Sequence, residues 1–140
     1  MPDYKSNLIK FINEARAKKT TPVLITPVTR MRFDKAGNIQ ETHKDYTAAV
    51  IETGLKYNVP VIDLDRMSRE LLQEMGPEHS RLLFMQLDSL AHPNYPHGQK
   101  DNTHFNEYGA RRMAELVLSA IKELNLELSR HIIEARVRKN

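Results

Sequence analysis

Two short, largely apolar runs, in each of which half of the residues are β-branched, constrain the fold of this chain more than any other feature. They span residues 22–27 and 59–64, and neither alternates apolar with polar side chains over its length. Such runs are typical of strands covered on both faces, as parallel strands are in α/β proteins. Parallel neighbours also need a long crossover connection, usually helical. The two runs therefore predict a pair of parallel strands buried between helices.

Three segments with helical spacing of apolar residues alternate with these runs. The first begins at Asp3, a predicted N-cap, and the second spans residues 46–57. The third follows Asp65, another predicted N-cap, and ends at Gly76, which a proline follows. Residues 29–44 are polar, which predicts a long loop on the surface. This alternation of helix and strand predicts an α/β protein with a parallel sheet.

The second half of the chain is less regular until its last helix. Residues 82–85 predict a short helix, and residues 88–103 predict a long irregular loop with two prolines and two histidines. The helix that begins near Phe105 is the most regular in the chain. We expect one domain over residues 1–126 and an extension over residues 127–140. The last helix carries its apolar residues at Met113, Leu116, Val117, Ala120, Ile121 and Leu124.

Composition excludes several classes of function. A chain of 140 residues with 40% hydrophobic residues suits one core, and its net charge of +3 is scattered, so we expect no nucleic-acid partner. No cysteine is present, which excludes disulfides, thiolate zinc sites and a cysteine nucleophile. No apolar run approaches about eighteen residues, and no signal-peptide core is visible. We therefore expect a soluble chain without a membrane partner. The basic tail formed by Arg136, Arg138 and Lys139 is interpreted as exposed to solvent, without a functional role.

Residues that can carry chemistry concentrate at Asp101 and His104, just before the last helix. In a turn that enters a helix, this spacing lets the carboxylate bind one imidazole nitrogen while the other faces outward as a general base. The same pattern also arises when Asp101 or Asn102 caps a helix and the histidine lies on the surface. The spacing alone therefore leaves both interpretations open.

The amino-acid sequence around this pair resembles that of a known enzyme family. Residues 94–96 and 101–110, which include Asn-Thr-His-Phe-Asn and Tyr-Gly-Ala, resemble the final block of SGNH (GDSL-type) hydrolases. That block, residues 23–30 and residues 61–64 are similar to rhamnogalacturonan acetylesterases. The resemblance implies a three-layer α/β/α, flavodoxin-like fold with a five-stranded parallel sheet. It also implies a Ser-His-Asp triad that removes acetyl groups from pectic polysaccharides, or from a small ester, without a cofactor.

The resemblance assigns roles to two residues and leaves others without a counterpart. Asp101 would orient His104, and His104 would take the proton from the attacking serine. The family's Gly-Asp-Ser turn and its oxyanion-hole glycine and asparagine are not found in this sequence. We therefore expect only the carboxyl-terminal part of the fold, with about two strands, and negligible esterase activity of the chain alone. Arg30 and Asn94 are predicted to line a sugar cleft, because loops at the carboxyl ends of strands form ligand sites.

A metal site is the main alternative chemistry in this region. His92, His97, Asp101 and His104 lie within one segment, but their spacings match no familiar zinc motif. We therefore expect no metal at these residues.

Three functional interpretations follow from these observations. The favoured one is a truncated or split acetylesterase whose amino-terminal segment comes from elsewhere and pairs with an exposed sheet edge. The second is a non-catalytic module that forms a homodimer through the same edge. The third, an unrelated flavodoxin-like binding domain, is disfavoured because no glycine-rich phosphate loop follows either strand.

Overall fold

A computed structural model describes residues 1–133 of the chain. The predicted alternation of helices and strands is confirmed, and the basic residues Arg136, Arg138 and Lys139 lie outside the described residues. In chain order the elements are α1 (Pro2–Ala17), β1 (Leu24–Ile25), α2 (Lys44–Tyr57), β2 (Val61–Ile62), α3 (Leu64–Ser80), a 3-10 turn (Arg81–Leu83), β3 (Phe84–Leu87), β4 (Gln99–Phe105), α4 (Glu107–Glu123) and a second 3-10 turn (Glu127–His131).

The two apolar runs form the predicted parallel pair. Leu24 pairs with Val61 and Ile25 with Ile62. The pairing extends beyond the strands, because the Thr26 amide donates to the Ile62 carbonyl at 3.0 Å. The strands are shorter than the runs that predicted them, yet the α/β class with about two parallel strands is confirmed.

Helices cover both faces of this pair. Successive residues of a strand point to opposite faces, so Val61 and Ile62 face different layers. Val61 lies against Gly54 of α2, where an added Cβ would stand 2.2 Å from the valine side chain. Ile62 is buried with Ala120 and Ile121 of α4. The layers are therefore helix, sheet, helix, as predicted.

An antiparallel pair of strands, β3 and β4, was not predicted. β4 occupies residues that we interpreted as an irregular loop, and Met85, assigned to a short helix, lies in β3 after the 3-10 turn. β4 has the sequence Gln-Lys-Asp-Asn-Thr-His-Phe and is mostly exposed, so it lacks the apolar period that marks a strand. The short helix is confirmed at Leu82 and Leu83 as a 3-10 turn but was wrong at Met85, and the irregular loop was wrong from Gln99 onward. The ladder was missed because it is built from main-chain hydrogen bonds, which the polar sequence of β4 does not reveal.

Two predicted helix caps are also corrected. Asp63, not Asp65, caps α3: its Oδ1 accepts a hydrogen bond from the Arg66 amide at 3.2 Å. Asp65 lies in the first turn, fully buried, with Oδ2 2.9 Å from the Arg69 guanidinium. At the other end of the chain, α1 begins at Pro2, and Asp3 lies in its first turn. A proline suits that first position because its missing N–H would have no helical partner.

The predicted end of the third helix at Gly76 corresponds to a break inside α3. Gly76 has φ 70° and ψ 173°, so the helix is interrupted there before one more turn leads to Ser80. A positive φ favours glycine. Beyond the break, the hydroxyl of Ser80 donates to the Leu72 carbonyl at 3.1 Å. This bond ties the final turn back to the main helix.

The core continues from the sheet to the residues beneath β4. One buried cluster comprises Leu72, Leu83, Phe84 and Met113, and it joins α3, β3 and α4. Partly buried Ile132 packs on the cluster around Ile62, so the described part of the extension contacts the domain. The boundary at residue 126 stays a prediction. Across residues 1–133, none of the helices is long and apolar enough to cross a membrane.

β1 forms an open edge of the parallel pair. Ile25 is 45% exposed, so the prediction that this run is buried on both faces was wrong at that residue. β1 has a strand neighbour on one side only within the described residues. A groove of about 600 Å³ opens beside it, and its lining is largely apolar, including Val23, Ile25, Val117, Ile121 and Leu126.

Candidate functional site

Asp101 and His104 lie on an irregular part of β4 that projects from the sheet. Phe84 pairs with Phe105, and Gln86 pairs with Lys100. Two steps along β3 thus correspond to five along β4, so three extra residues bulge out between these pairs. A bulge redirects side chains and interrupts a ladder. Here it turns the segment from Asp101 to His104 away from regular pairing.

The Asp101 carboxylate organises the bulge around itself. Its Oδ1 accepts hydrogen bonds from the amides of Thr103 at 2.7 Å and His104 at 2.9 Å. Its Oδ2 lies 2.7 Å from Nδ1 of His104. The backbone amide of His104, then its imidazole, then the Thr103 amide hold the pKa of Asp101 at about 2, below its ordinary value of 3.8. Asp101 is therefore ionised at neutral pH.

This geometry determines the proton arrangement on His104. An ionised carboxylate can only accept, so Nδ1 carries a proton and donates it to Asp101. In the neutral imidazole, Nε2 is then the unprotonated nitrogen and can act as a base. The His104 side chain is 77% exposed, while that of Asp101 is 19% exposed. A partly buried carboxylate thus orients an accessible imidazole.

Gln86 holds the bulge from the neighbouring strand. Its Nε2 donates to the carbonyl of Asp101 at 2.8 Å and to Oδ1 of Asn102 at 2.7 Å. Sequence reasoning missed this residue. The only available signal was a lone amide side chain in the apolar stretch Leu82 to Leu87.

The N-terminus of α4 is fixed just beyond the bulge. Asn106 caps the helix by accepting from the Gly109 amide at 2.9 Å, and its Nδ2 donates to the carbonyls of Leu82 and Phe84. Gly109 permits this contact, because a Cβ there would stand 1.9 Å from the Leu83 carbonyl oxygen. The asparagine and glycine of the quoted motif therefore serve the packing of helix against strand.

Of the two predicted substrate-binding residues, the structure brings one close to the bulge. Arg30 lines a small groove of about 240 Å³ together with Arg32, Thr42, Asn102 and Thr103. Asn94 is exposed in the segment between β3 and β4, where its amide donates to the imidazole of His92. It does not line this groove.

The residues considered for a metal site do not gather around one point in the described part of the chain. His92 contacts the Tyr95 ring and the Asn94 amide, whereas His104 binds Asp101. Within residues 1–133, no three histidine or acidic residues gather in a way that would hold a metal ion.

The serines of residues 1–133 form hydrogen bonds with groups other than His104, or none that involve the dyad. No serine hydroxyl hydrogen-bonds to His104 in this part of the chain, and Ser68 and Ser80 are buried in structural hydrogen bonds. The site thus consists of an accessible imidazole, the carboxylate that orients it, and a flanking groove.

Comparison with known proteins gives this arrangement its context. A family model described as GDSL-like lipase/acylhydrolase matches residues 1–117. The chain belongs to the GDSL-like lipase/acylhydrolase family. This membership confirms the family resemblance of the sequence motifs, since the matched range includes both Asp101 and His104.

Two curated proteins of Bacillus subtilis (strain 168) resemble this GDSL-family chain over most of its length. Rhamnogalacturonan acetylesterase RhgT is 42% identical over 93% of the chain, and probable rhamnogalacturonan acetylesterase YesY is 38% identical over 95%. The chain covers 56% and 57% of these proteins, respectively, so it spans little more than half of their length. The resemblance to rhamnogalacturonan acetylesterases is therefore confirmed at the level of sequence.

A solved structure supports the fold. The X-ray structure of the protein YxiM from Bacillus subtilis superposes with a TM-score of 0.70 and 22% identity. The alignment covers 88% of this chain and 31% of that one. At this level of identity, the match establishes a shared fold and no more.

Proposed function

We propose that this chain supplies the acid–base part of a serine esterase that removes acetyl groups from a polysaccharide of the rhamnogalacturonan type. The observation that carries the proposal is the 2.7 Å hydrogen bond from His104 Nδ1 to Asp101, with the opposite face of the imidazole in solvent. Support comes from the family membership and from two relatives named as rhamnogalacturonan acetylesterases.

In the proposed reaction, His104 Nε2 removes the proton from a serine hydroxyl as its oxygen attacks the acetyl carbonyl. The imidazolium returns that proton to the sugar oxygen when the ester bond breaks, which leaves an acetyl-enzyme. Water then attacks the acetyl group as His104 takes its proton. The imidazolium returns this proton to the serine oxygen when the acetyl–serine bond breaks, and acetate is released. Asp101 stabilises the imidazolium throughout, because its carboxylate stays ionised.

The nucleophile and the oxyanion donors are proposed to come from outside these 140 residues. No Gly-Asp-Ser occurs in the sequence, and the chain covers 56% of RhgT. Because triad members act as a unit, His104 and Asp101 alone provide little catalysis. We propose that negligible esterase activity remains in the isolated chain.

The open edge of β1 is the proposed docking surface for the complementing segment. The Leu24 amide donates to the carbonyl of Pro60, just before β2, and the Thr26 amide donates to that of Ile62, so the intervening Ile25 amide points to the other side. The adjacent groove contains the apolar residues Val23 and Ile25. A further parallel strand would satisfy the free amide and cover this surface.

The substrate is proposed to lie across the loops beside the dyad. Arg30 would contact the sugar directly through the groove that Asn102 and Thr103 complete. Asn94 would contribute from the longer segment between β3 and β4. Both assignments predict weaker substrate binding, rather than a slower chemical step, on substitution.

The test is acetate release from acetylated rhamnogalacturonan by the chain mixed with the part of RhgT that it does not match. Activity in the mixture alone, abolished by His104→Ala and retained by His97→Ala, supports the proposal. His97 is a suitable control because it lies in the same part of the chain and is exposed. Covalent fusion of the two segments removes the requirement for association. A folded but inactive fusion would refute the proposed chemistry.

A second candidate is a non-catalytic homodimeric module. The exposed Ile25 and its apolar groove favour it, because the same edge in a second copy would cover them. Sedimentation of the chain alone separates the candidates. A stable dimer that excludes the RhgT segment would support the module, whereas a monomer that binds the segment would support the split esterase.

A further inference from the structure

Three successive backbone amides after β1 donate to three separate parts of the molecule. Two of the acceptors are side-chain hydroxyls, and the third is the main-chain carbonyl of the residue that follows Asp101 in the bulge. The amides of Thr29, Arg30 and Met31 donate at 3.1, 3.2 and 2.9 Å to Ser68 Oγ, Thr42 Oγ1 and the carbonyl of Asn102, respectively. Residues 29–31 therefore connect α3 and the start of α2 to the bulge that carries the dyad.

The bond between Thr29 and Ser68 lies in the interior. Each of these residues is only 1% exposed. The Ser68 hydroxyl accepts from the Thr29 amide and donates to the Asp65 carbonyl at 3.2 Å, so it acts as donor and acceptor at once. Removing the hydroxyl would leave the buried Thr29 amide without this acceptor, which costs free energy. Ser68 therefore fixes the position of Thr29 relative to α3.

Thr42 holds the next residue from the other side. Its Oγ1 accepts from the Arg30 amide, and it lies 3.4 Å from Thr29 Oγ1 and 3.0 Å from Nδ1 of His43. The hydroxyls on the two sides thus engage adjacent amides of the same short segment. Because both anchors lie within two residues of Met31, the Met31 amide has little freedom to move.

We infer that Ser68 and Thr42 are positioning residues for the dyad. Their hydroxyls hold residues 29–31 where the Met31 amide binds the Asn102 carbonyl, and this bond holds the adjacent Asp101. Across residues 1–133, neither hydroxyl bonds to the dyad itself, so the effect passes through the backbone. The catalytic part of this inference rests on the proposed function, whereas its geometric part does not.

Ser68→Ala tests the inference in the chain alone, with Ser80→Ala as the matched control. Both serines are buried on α3 and donate to a main-chain carbonyl, so both variants should lose stability. Only Ser68→Ala should reduce the protection of the Met31 amide from hydrogen exchange, by about fivefold or more. It should also raise the pKa of Asp101 above about 2, as measured by NMR titration of the carboxyl carbon. Equal changes in both variants, or no change in Ser68→Ala, would overturn the inference.

Two variants of Thr42 test the second hydroxyl, and they decide the question if Ser68→Ala does not fold. Thr42 is only partly buried, so its substitution disturbs the core less. Thr42→Val keeps the shape but removes the acceptor of the Arg30 amide, whereas Thr42→Ser keeps the hydroxyl. We expect Thr42→Val to reduce the protection of the Met31 amide and Thr42→Ser to retain it. Equal protection in these two variants would overturn the role of the hydroxyl.

The fusion with the unmatched part of RhgT separates this inference from the proposed function. Ser68 lies outside the groove that Arg30 and Thr42 line, so its substitution removes no groove residue. Ser68→Ala should lower kcat about fivefold or more with KM unchanged, whereas Ser80→Ala should retain kcat. An inactive fusion, together with the expected changes in the chain alone, would retain the positioning of the dyad and reject the esterase chemistry. An active fusion in which Ser68→Ala leaves kcat unchanged, or changes only KM, would reject the positioning role and retain the esterase.

Discussion

The amide of Met31 donates a hydrogen bond of 2.9 Å to the carbonyl of Asn102. This bond joins the loop after β1 to the bulge that carries the dyad. On its other side, Asn102 accepts through Oδ1 from Gln86. Asn102 is therefore held between two segments that are distant in sequence. The position of the adjacent Asp101 depends on contacts that the bulge itself does not supply.

Replacing Gln86 with leucine should loosen Asp101 without removing any dyad atom. The change leaves the Asp101 carbonyl and the Asn102 side chain without this donor, so we expect a loss of about 1–2 kcal/mol in the free energy of unfolding. The pKa of Asp101 should rise from about 2 towards 3.8, because its amide donors become less well aligned. Urea unfolding and NMR titration of the carboxyl carbon measure both effects.

Gln99→Leu is the matched control for this change. Gln99 lies on β4 and makes no side-chain hydrogen bond to the described residues. An unchanged pKa of Asp101 in Gln86→Leu would show that Gln86 supports only the fold. If Gln99→Leu shifts the pKa of Asp101 equally, the pKa depends on the stability of the β3–β4 pair in general rather than on the hydrogen bonds of Gln86.

The lowered pKa of Asp101 predicts a contribution to acid denaturation. Because the folded-state pKa is below the ordinary value, the ionised group stabilises the fold above about pH 4, and this contribution is lost as the pH falls towards 2. Asp101→Asn should therefore flatten the fall in stability between about pH 4 and pH 2. Unfolding by urea across this range measures the slope. The prediction fails if the wild type and variant have the same slope.

Asp34→Asn provides a comparison for that experiment. The pKa of Asp34 is also lowered, mainly by the amide of Asn38, but Asp34 lies outside the dyad. Asp34→Asn should also reduce the loss in the free energy of unfolding between about pH 4 and pH 2. It should leave the NMR signals of His104 unchanged. Only Asp101→Asn should alter the His104 ring signals.

Gly109→Ala should displace the start of α4. The new Cβ would stand 1.9 Å from the Leu83 carbonyl oxygen, a backbone atom that cannot rotate away. We expect a loss of about 1–3 kcal/mol in the free energy of unfolding, the usual cost of overpacking. Thermal or urea unfolding measures the loss. Ala114→Ser, an exposed change on the same helix, should stay within about 0.5 kcal/mol; equal stability of the two variants would contradict the assigned contact.

The parallel pair was predictable because Leu24, Ile25, Val61 and Ile62 belong to apolar runs between helical periods. Its open edge was predictable because a sheet of two strands leaves edges unpaired. The pairing of β3 with β4 was not, since β4 is polar and mostly exposed. A ladder made of main-chain bonds is compatible with many sequences.

The dyad was predictable for a different reason, namely the local spacing of Asp101 and His104 together with the family motif. The residues that hold the dyad in place are more distant in sequence. Gln86 lies fifteen residues before Asp101, and Met31 lies in the loop after β1. A single sequence contains no record of such contacts.

Ile25→Lys should impair docking of the complementing segment on β1. Ile25 is 45% exposed and lies in the apolar groove, where a strand added to the edge would bury it. A lysine there would place a charge in that interface, and lysines on edge strands oppose pairing. We expect the affinity for the unmatched RhgT segment to fall at least about tenfold.

The control is Leu55→Lys, which changes a residue 79% exposed on α2 and should leave the affinity for the segment unchanged. Calorimetric titration measures both affinities. If the two lysine variants bind equally well, the segment docks elsewhere; if Ile25→Lys instead converts a dimer of the chain into a monomer, the edge serves self-association.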